Sequence, residues 1–261
     1  MNRTGLLIAL AVAAAFGLVF GLYPKLDLLI AAPFFDPAAG MWDASRLWVM
    51  QLRSALSFLI AFIAAPAFLA LGLKLVMPRR PLIMPGRAAL LMIVTLALGP
   101  GLLVNVILKD NYGRPRPVEV TEFRGEEPFV AWWDPRGTCT KNCSFVAGEP
   151  SGAFWTLAPA ALAPPHWRVL AYGAALAFGT GLGVLRMAAG GHFLTDVVFA
   201  GVFTFLLIWL VHGLLYRWRA TAFTDAAVER LLEAIAMPAY RGVTRTVARL
   251  RGQPQPNKDP G

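Results

Sequence analysis

Charge is scarce in this 261-residue chain: Asp, Glu, Lys and Arg make up 15% of it, against 57% hydrophobic residues and a mean hydropathy of +0.58. That balance excludes a disordered chain and a soluble domain with an ordinary charged surface. Histidine occurs three times and cysteine twice. Cys139 and Cys143 have no histidine beside them, so they do not read as a zinc site. No DNA-binding motif accompanies the net charge of +9, so nucleic acid is not the expected partner. Internal repeats are absent as well.

What the chain has instead is long apolar runs, each near the length of about 20 residues that crosses a bilayer as a helix. They are Gly5–Tyr23, Ser54–Leu73, Ala88–Leu108, Pro150–Pro165, Val169–Leu185 and Val197–Tyr216. The expected fold is therefore all-α: a polytopic membrane protein whose residues 1–216 form a six-helix transmembrane bundle. The fourth run is the shortest and holds Pro159, Pro164 and Pro165, which membrane helices tolerate better than soluble ones do. The first run exceeds the 7–15-residue core of a secretory signal and is read as an uncleaved helix.

With the N-terminus inside, fourteen of the 24 Lys and Arg fall on inner segments and eleven of the 15 acids on outer ones. The positive-inside rule then puts both termini in the cytoplasm of a bacterial inner membrane and the loops 109–149 and 186–196 in the periplasm. Outside, Trp42, Trp48, Arg46 and Arg53 read as interfacial anchors. Inside, residues 217–261 form a basic tail. Val228, Leu231, Leu232 and Ile235 make one face of an amphipathic helix suited to a membrane surface or a partner, and the end after Arg251 has a disordered composition. No protein partner is predicted. In an oxidising periplasm Cys139 and Cys143 are expected to pair, free thiols being the alternative.

The chemistry concentrates in the outer loops. His166 and His212 fall at inner ends without a polar cluster and read as interfacial. His192 stands in Arg186-Met-Ala-Ala-Gly-Gly-His192-Phe-Leu-Thr-Asp196, where Asp196 at i+4 can accept the Nδ1 proton and leave Nε2 free to attack. Arg186 adds a planar cation suited to phosphate. A second block, Lys109-Asp-Asn-Tyr-Gly-Arg114-Pro-Arg116-Pro117, brings Lys109 and Arg116 to the outer end of the third run, with Arg114 as a further headgroup contact.

Lys109-x6-Arg116-Pro117, followed about 70 residues later by Arg186-x5-His192-x3-Asp196, resembles the first and third motifs of the type 2 phosphatidic acid phosphatase (PAP2) family across roughly residues 54–216. That resemblance implies a six-helix bundle, a phosphohistidine at His192, and neither metal nor other cofactor. The family's middle motif, Pro-Ser-Gly-His, is altered. One register sets Pro150-Ser151-Gly152-Ala153 against it, with Ser151 as a phosphate contact. The other, preferred on the context Ser144-Phe-Val-Ala-Gly-Glu149, sets Val146, Ala147, Gly148 and Glu149 there. In that register Gly148 belongs to the phosphate site, and Glu149 replaces the family's acid histidine with a pKa raised by desolvation. Ala147 then lacks the family's serine hydroxyl, and Leu185 stands where the third motif has serine. Glu149, the cysteines and the run from Gly113 to Phe123 look similar to a bacterial subgroup acting on lipid A at its 1- or 4′-phosphate. The expected function is hydrolysis of a phosphomonoester on lipid A. Undecaprenyl pyrophosphate, phosphatidylglycerophosphate or phosphatidic acid as substrate, transfer of phosphate to a second lipid, and a silent lipid-binding homologue are the alternatives.

Overall fold

The computed structural model describes residues 1–43, 47–219, 221 and 223–250. Arg46 and the tail after Arg251, on which two expectations rest, lie outside them. Among the described residues five helices are long and apolar enough to cross a membrane: α1 (Arg3–Leu22), α3 (Leu47–Val76), α4 (Gly86–Asn111), α7 (Pro165–Ala188) and α8 (Leu194–Arg217). Between α1 and α3 come a short α2 (Leu26–Ala31) and a two-residue hairpin, β1 (Phe35–Asp36) with β2 (Met41–Trp42). The exposed faces are hydrocarbon; Phe58 and Phe62 on α3 are 75% and 76% exposed. A helix bundle can present such surface to lipid because its backbone polar groups are satisfied within each helix.

The run Pro150–Pro165 takes a different form. It makes two short helices, α5 (Gly148–Phe154) and α6 (Leu157–Leu162), broken at Trp155 and Thr156 and ended by Ala163 and Pro164. Small residues let the pair sit inside the bundle: Ala153, Ala158, Ala160 and Ala161 are buried. Trp155, fully buried, fixes the break by donating Nε1–H to Thr95 Oγ1 at 2.9 Å. The pair runs from the end that holds His192 to the end that holds Arg168, so the fourth apolar run lies inside the bundle as a broken, buried segment in place of one continuous helix.

Helix α4 widens to a π-helix over Ala97–Leu108 around Pro100, whose ring cannot fit the regular i to i−4 ladder. Asn105 Nδ2 donates to the Pro100 carbonyl at 2.7 Å. The amphipathic tail helix α9 (Asp225–Leu250) packs on α3 and α4 of its own chain. Its acids answer the buried Lys74, through Glu229 at 3.1 Å and Glu233 at 3.6 Å, and Arg87, through Asp225 at 2.9 Å.

Candidate active site

His192 lies in the turn between α7 and α8 and is 1% exposed. Gly190 makes that turn possible: its φ is +63°, and a Cβ there would meet the Trp42 ring at 2.5 Å. The imidazole Nδ1 is 2.7 Å from the Ser144 carbonyl oxygen. A carbonyl only accepts, so Nδ1 carries the hydrogen and Nε2 keeps its lone pair. This corrects the expected role of Asp196, whose Oδ2 is 3.8 Å from Nδ1. Asp196 instead accepts from Ser144 Oγ at 2.5 Å, Phe193 N at 2.8 Å and Arg114 Nη1 at 2.5 Å. It fixes Ser144, and the Ser144 carbonyl fixes His192. Burial draws the His192 pKa down to about 4 although Asp196 pulls the other way, so the ring is neutral near pH 7.

Three cations surround it. Lys109, at the end of α4, donates Nζ–H to Asn142 Oδ1 at 3.1 Å, and Arg116 donates Nη2–H to the Asn142 carbonyl at 2.7 Å. Asn142 sits in a turn closed by the Cys139–Cys143 disulfide, with a Cα–Cα separation of 5.7 Å. The same turn is tied down by Cys143 N to the Lys109 carbonyl at 2.9 Å and Ser144 N to the Arg114 carbonyl at 2.8 Å. The disulfide therefore braces the residues that aim Lys109 and Arg116. Arg186, 7% exposed, has a buried Nε–H with no partner among the described residues. The charges of Lys109 and Arg186 both act on His192, and those of Arg116 and Arg186 act on Lys109. Gly148 passes against this cluster; a Cβ would lie 3.2 Å from Lys109 Nζ and 2.6 Å from Asn105 Oδ1.

Glu149 shares the site's field with His192 and Arg186, whereas Ala153 is buried among helices. The expectation of a raised carboxyl pKa is not met. Burial pushes Glu149 up, but the Arg53 guanidinium, bonded to both carboxylate oxygens with Nε–Oε2 at 2.7 Å, leaves it below the ordinary range with help from Arg186. Two further expectations are corrected. Arg114 contacts no headgroup: it is wholly buried, paired with Asp27 at 2.8 Å and Asp196 at 2.5 Å. Ser151 Oγ is buried and bonded to Thr204 Oγ1 at 2.8 Å inside the bundle, away from phosphate.

Sequence reasoning missed Arg53, Asp27, Ser144 and Asn142 in these roles. Arg53 carried a signal. Once α3 is seen to start at Leu47, it is a cation inside an apolar helix, and such residues mark function by default. The other three had none, Ser144 and Asn142 being ordinary polar residues in loops and Asp27 one on the short helix α2.

Residues 88–220 match the family model described as the PAP2 superfamily. A lipid A 4′-phosphatase of Francisella tularensis subsp. novicida is 36% identical over 222 residues, spanning 83% of this chain and 98% of that protein. A lipid A 4′-phosphatase of Rhizobium leguminosarum is 38% identical over 104 residues, 40% of this chain and 45% of that one. The crystal structure of a transmembrane PAP2 type phosphatidylglycerolphosphate phosphatase from Bacillus subtilis overlays with a TM-score of 0.47 at 20% identity, covering 81% of this chain and 94% of that one.

Proposed function

The chain belongs to the PAP2 superfamily, and from that premise we propose that it is a membrane phosphatase removing the 4′-phosphate monoester of lipid A through a phosphohistidine at His192. The relative of 36% identity, matched over nearly its whole length, supports the substrate. The observation that carries the chemistry is the buried, neutral His192 with Nδ1–H held by the Ser144 carbonyl and Nε2 free beside Lys109 and Arg186.

In this reading Nε2 attacks phosphorus in line and the bond from phosphorus to the sugar oxygen breaks. Lys109, Arg116 and Arg186 stabilise the equatorial oxygens. Glu149 rests ionised, but a phosphate dianion beside it favours its protonation, as any like charge does. On substrate binding Glu149 thus takes up a proton from water, and gives that proton to the leaving oxygen. Water then attacks phosphorus while the Glu149 carboxylate takes its proton, and the P–N bond breaks. Arg53 returns the carboxylate to its ionised state between turnovers. The cation-rich end formed by Lys74, Arg79, Arg80 and Arg87 supports a cytoplasmic orientation for that end and a periplasmic one for His192, in a bacterial inner membrane.

The test is phosphate release by the purified full chain in detergent from lipid A bearing both phosphates, lipid A lacking either one, phosphatidylglycerophosphate, phosphatidic acid and undecaprenyl pyrophosphate. Release from both forms that carry the 4′-phosphate, at the highest kcat/KM of the panel, is expected. A higher kcat/KM on another lipid, or on the form with only the 1-phosphate, refutes the assignment.

Glu149→Gln should leave lipid binding intact and slow turnover by about a hundredfold or more. Arg53→Gln removes the bond that holds the carboxyl down. The limb of the kcat/KM profile set by Glu149 should then move to higher pH. An unchanged rate in the first variant, or an unmoved profile in the second, would rule out the corresponding role.

A further inference from the structure

The end of the bundle opposite His192 carries a second polar cluster that phosphate removal does not use. A cavity of about 690 Å³ lies between α1, α7 and α8, walled by apolar side chains such as Ile8, Val12, Leu176 and Phe205, with Arg168 and Tyr172 among its lining. That volume is within the range of ligand sites. Tyr172 Oη, His212 Nδ1 and Arg217 Nη2 are buried at this end without a hydrogen-bond partner among the described residues. Arg217 stacks on Trp209 at 3.9 Å and donates Nη1–H at 3.3 Å to the carbonyl of Met1, which itself lines the cavity. The charges of Arg168 and Arg217 both act on His212.

No neighbouring acid balances them among the described residues. Glu229 and Glu233 are committed to Lys74, and Asp225 to Arg87. Among the described residues Arg168 is bonded only to the Ala163 carbonyl, at 3.1 and 3.2 Å. Buried donors in native structures are normally satisfied, and two guanidinium groups without a carboxylate call for an anion with several acceptor oxygens. Arg168 sits in the first turn of α7 and Arg217 in the last turn of α8, at headgroup level, with Tyr172 and His212 about one turn farther in, while the apolar cavity runs inward to acyl-chain depth.

We propose that this is a binding site for an anionic glycerophospholipid, with its phosphate held by Arg168, Arg217 and Tyr172 Oη and one acyl chain in the cavity. The lipid would be a structural ligand distinct from the substrate at His192.

The test is native mass spectrometry of the full chain in detergent, titrated with phosphatidylglycerol or phosphatidylcholine of identical chains. Phosphatidylglycerol should bind roughly tenfold tighter or better, as two near-surface arginines would give. Arg168→Gln with Arg217→Gln should erase that preference. Ala9→Trp, which fills the cavity and leaves both arginines, should abolish retention with phosphatase activity unchanged. Arg186→Gln, in the active site, should leave retention as it was. The proposal is overturned by equal binding of the two lipids, by full retention in Ala9→Trp, by loss in Arg186→Gln, or by displacement with inorganic phosphate alone. Should the double arginine variant fail to fold, Tyr172→Phe, with its preference reduced, and Ala9→Trp decide.

Discussion

His192→Ala should lower phosphate release to the level of protein-free controls, a loss of roughly four orders of magnitude or more, because the group that forms the covalent intermediate is gone. His192→Asn, which keeps a polar side chain near the Ser144 carbonyl, should be as inactive as His192→Ala and as stable as the native chain. Rapid denaturation during turnover of lipid A labelled at phosphorus should trap label on the native protein in an acid-labile, alkali-stable form, as expected of phosphohistidine, and none on either variant. Residual turnover in His192→Ala above about one part in a thousand would mean that another group attacks phosphorus.

The same residue sets a pH dependence whose sign follows from its environment. Burial brings His192 to about 4, below the ordinary value of 6.5, so the folded protein favours the neutral ring. Between these values the unfolded chain binds more protons than the folded one. The stability owed to this group is therefore complete above about pH 6.5 and is lost as pH falls through 6.5 toward 4. Nucleophilicity follows the neutral form, so the limb of kcat/KM attributable to His192 should fall near pH 4. A limb near 6.5 would place the ring in solvent and contradict the Ser144 contact.

Much of this was legible in the chain, for reasons that differ by element. The apolar runs needed only hydropathy, since lipid dictates length and composition together. Lys109, Arg116, Arg186 and His192 were legible because their spacing within two short blocks is fixed by local chain geometry. The broken fourth run was visible as a short, proline-bearing stretch, but its fold depends on small residues meeting neighbours far along the chain. The partners that tune the site were not legible. Asp27 reaches Arg114 and Thr195 across 87 and 168 residues, and Arg53 reaches Glu149 across 96. Spacing says nothing of such contacts. For Glu149 the consequence was a wrong sign: desolvation was read from apolar neighbours in sequence, and the cation that overrides it came from another helix.

Arg114→Leu should be the most destabilising single change at the site, by about 3–5 kcal/mol, because it strips the guanidinium that pairs with both carboxyls of a buried cluster. One guanidinium there binds Asp27, Asp196, Thr195 Oγ1 at 2.8 Å and the Val130 carbonyl at 3.0 Å, with its plane 4.4 Å from the Phe193 ring. Asp27 is held above the usual carboxyl range, by burial first and by Asp196 in addition, against the pull of Arg114. The cluster thus sets two carboxyls against one guanidinium, with burial and the Asp196 charge both working against the charged form of Asp27. Arg114→Lys keeps the charge but not the fork, and one ammonium cannot reach these acceptors in the same geometry. It should fold, while turnover falls because Asp196, and through it Ser144 and His192, loses its fixed position. Asp27→Asn keeps the size of the acid and an acceptor oxygen while removing a buried charge, and should be mild alone, yet soften the loss caused by Arg114→Leu. Thermal unfolding of the four proteins in detergent measures this as a double-mutant cycle. Additive losses would mean that Arg114 and Asp27 do not form one unit, and an active, native-stable Arg114→Leu would return Arg114 to the surface role suggested by its place among the basic residues of the loop.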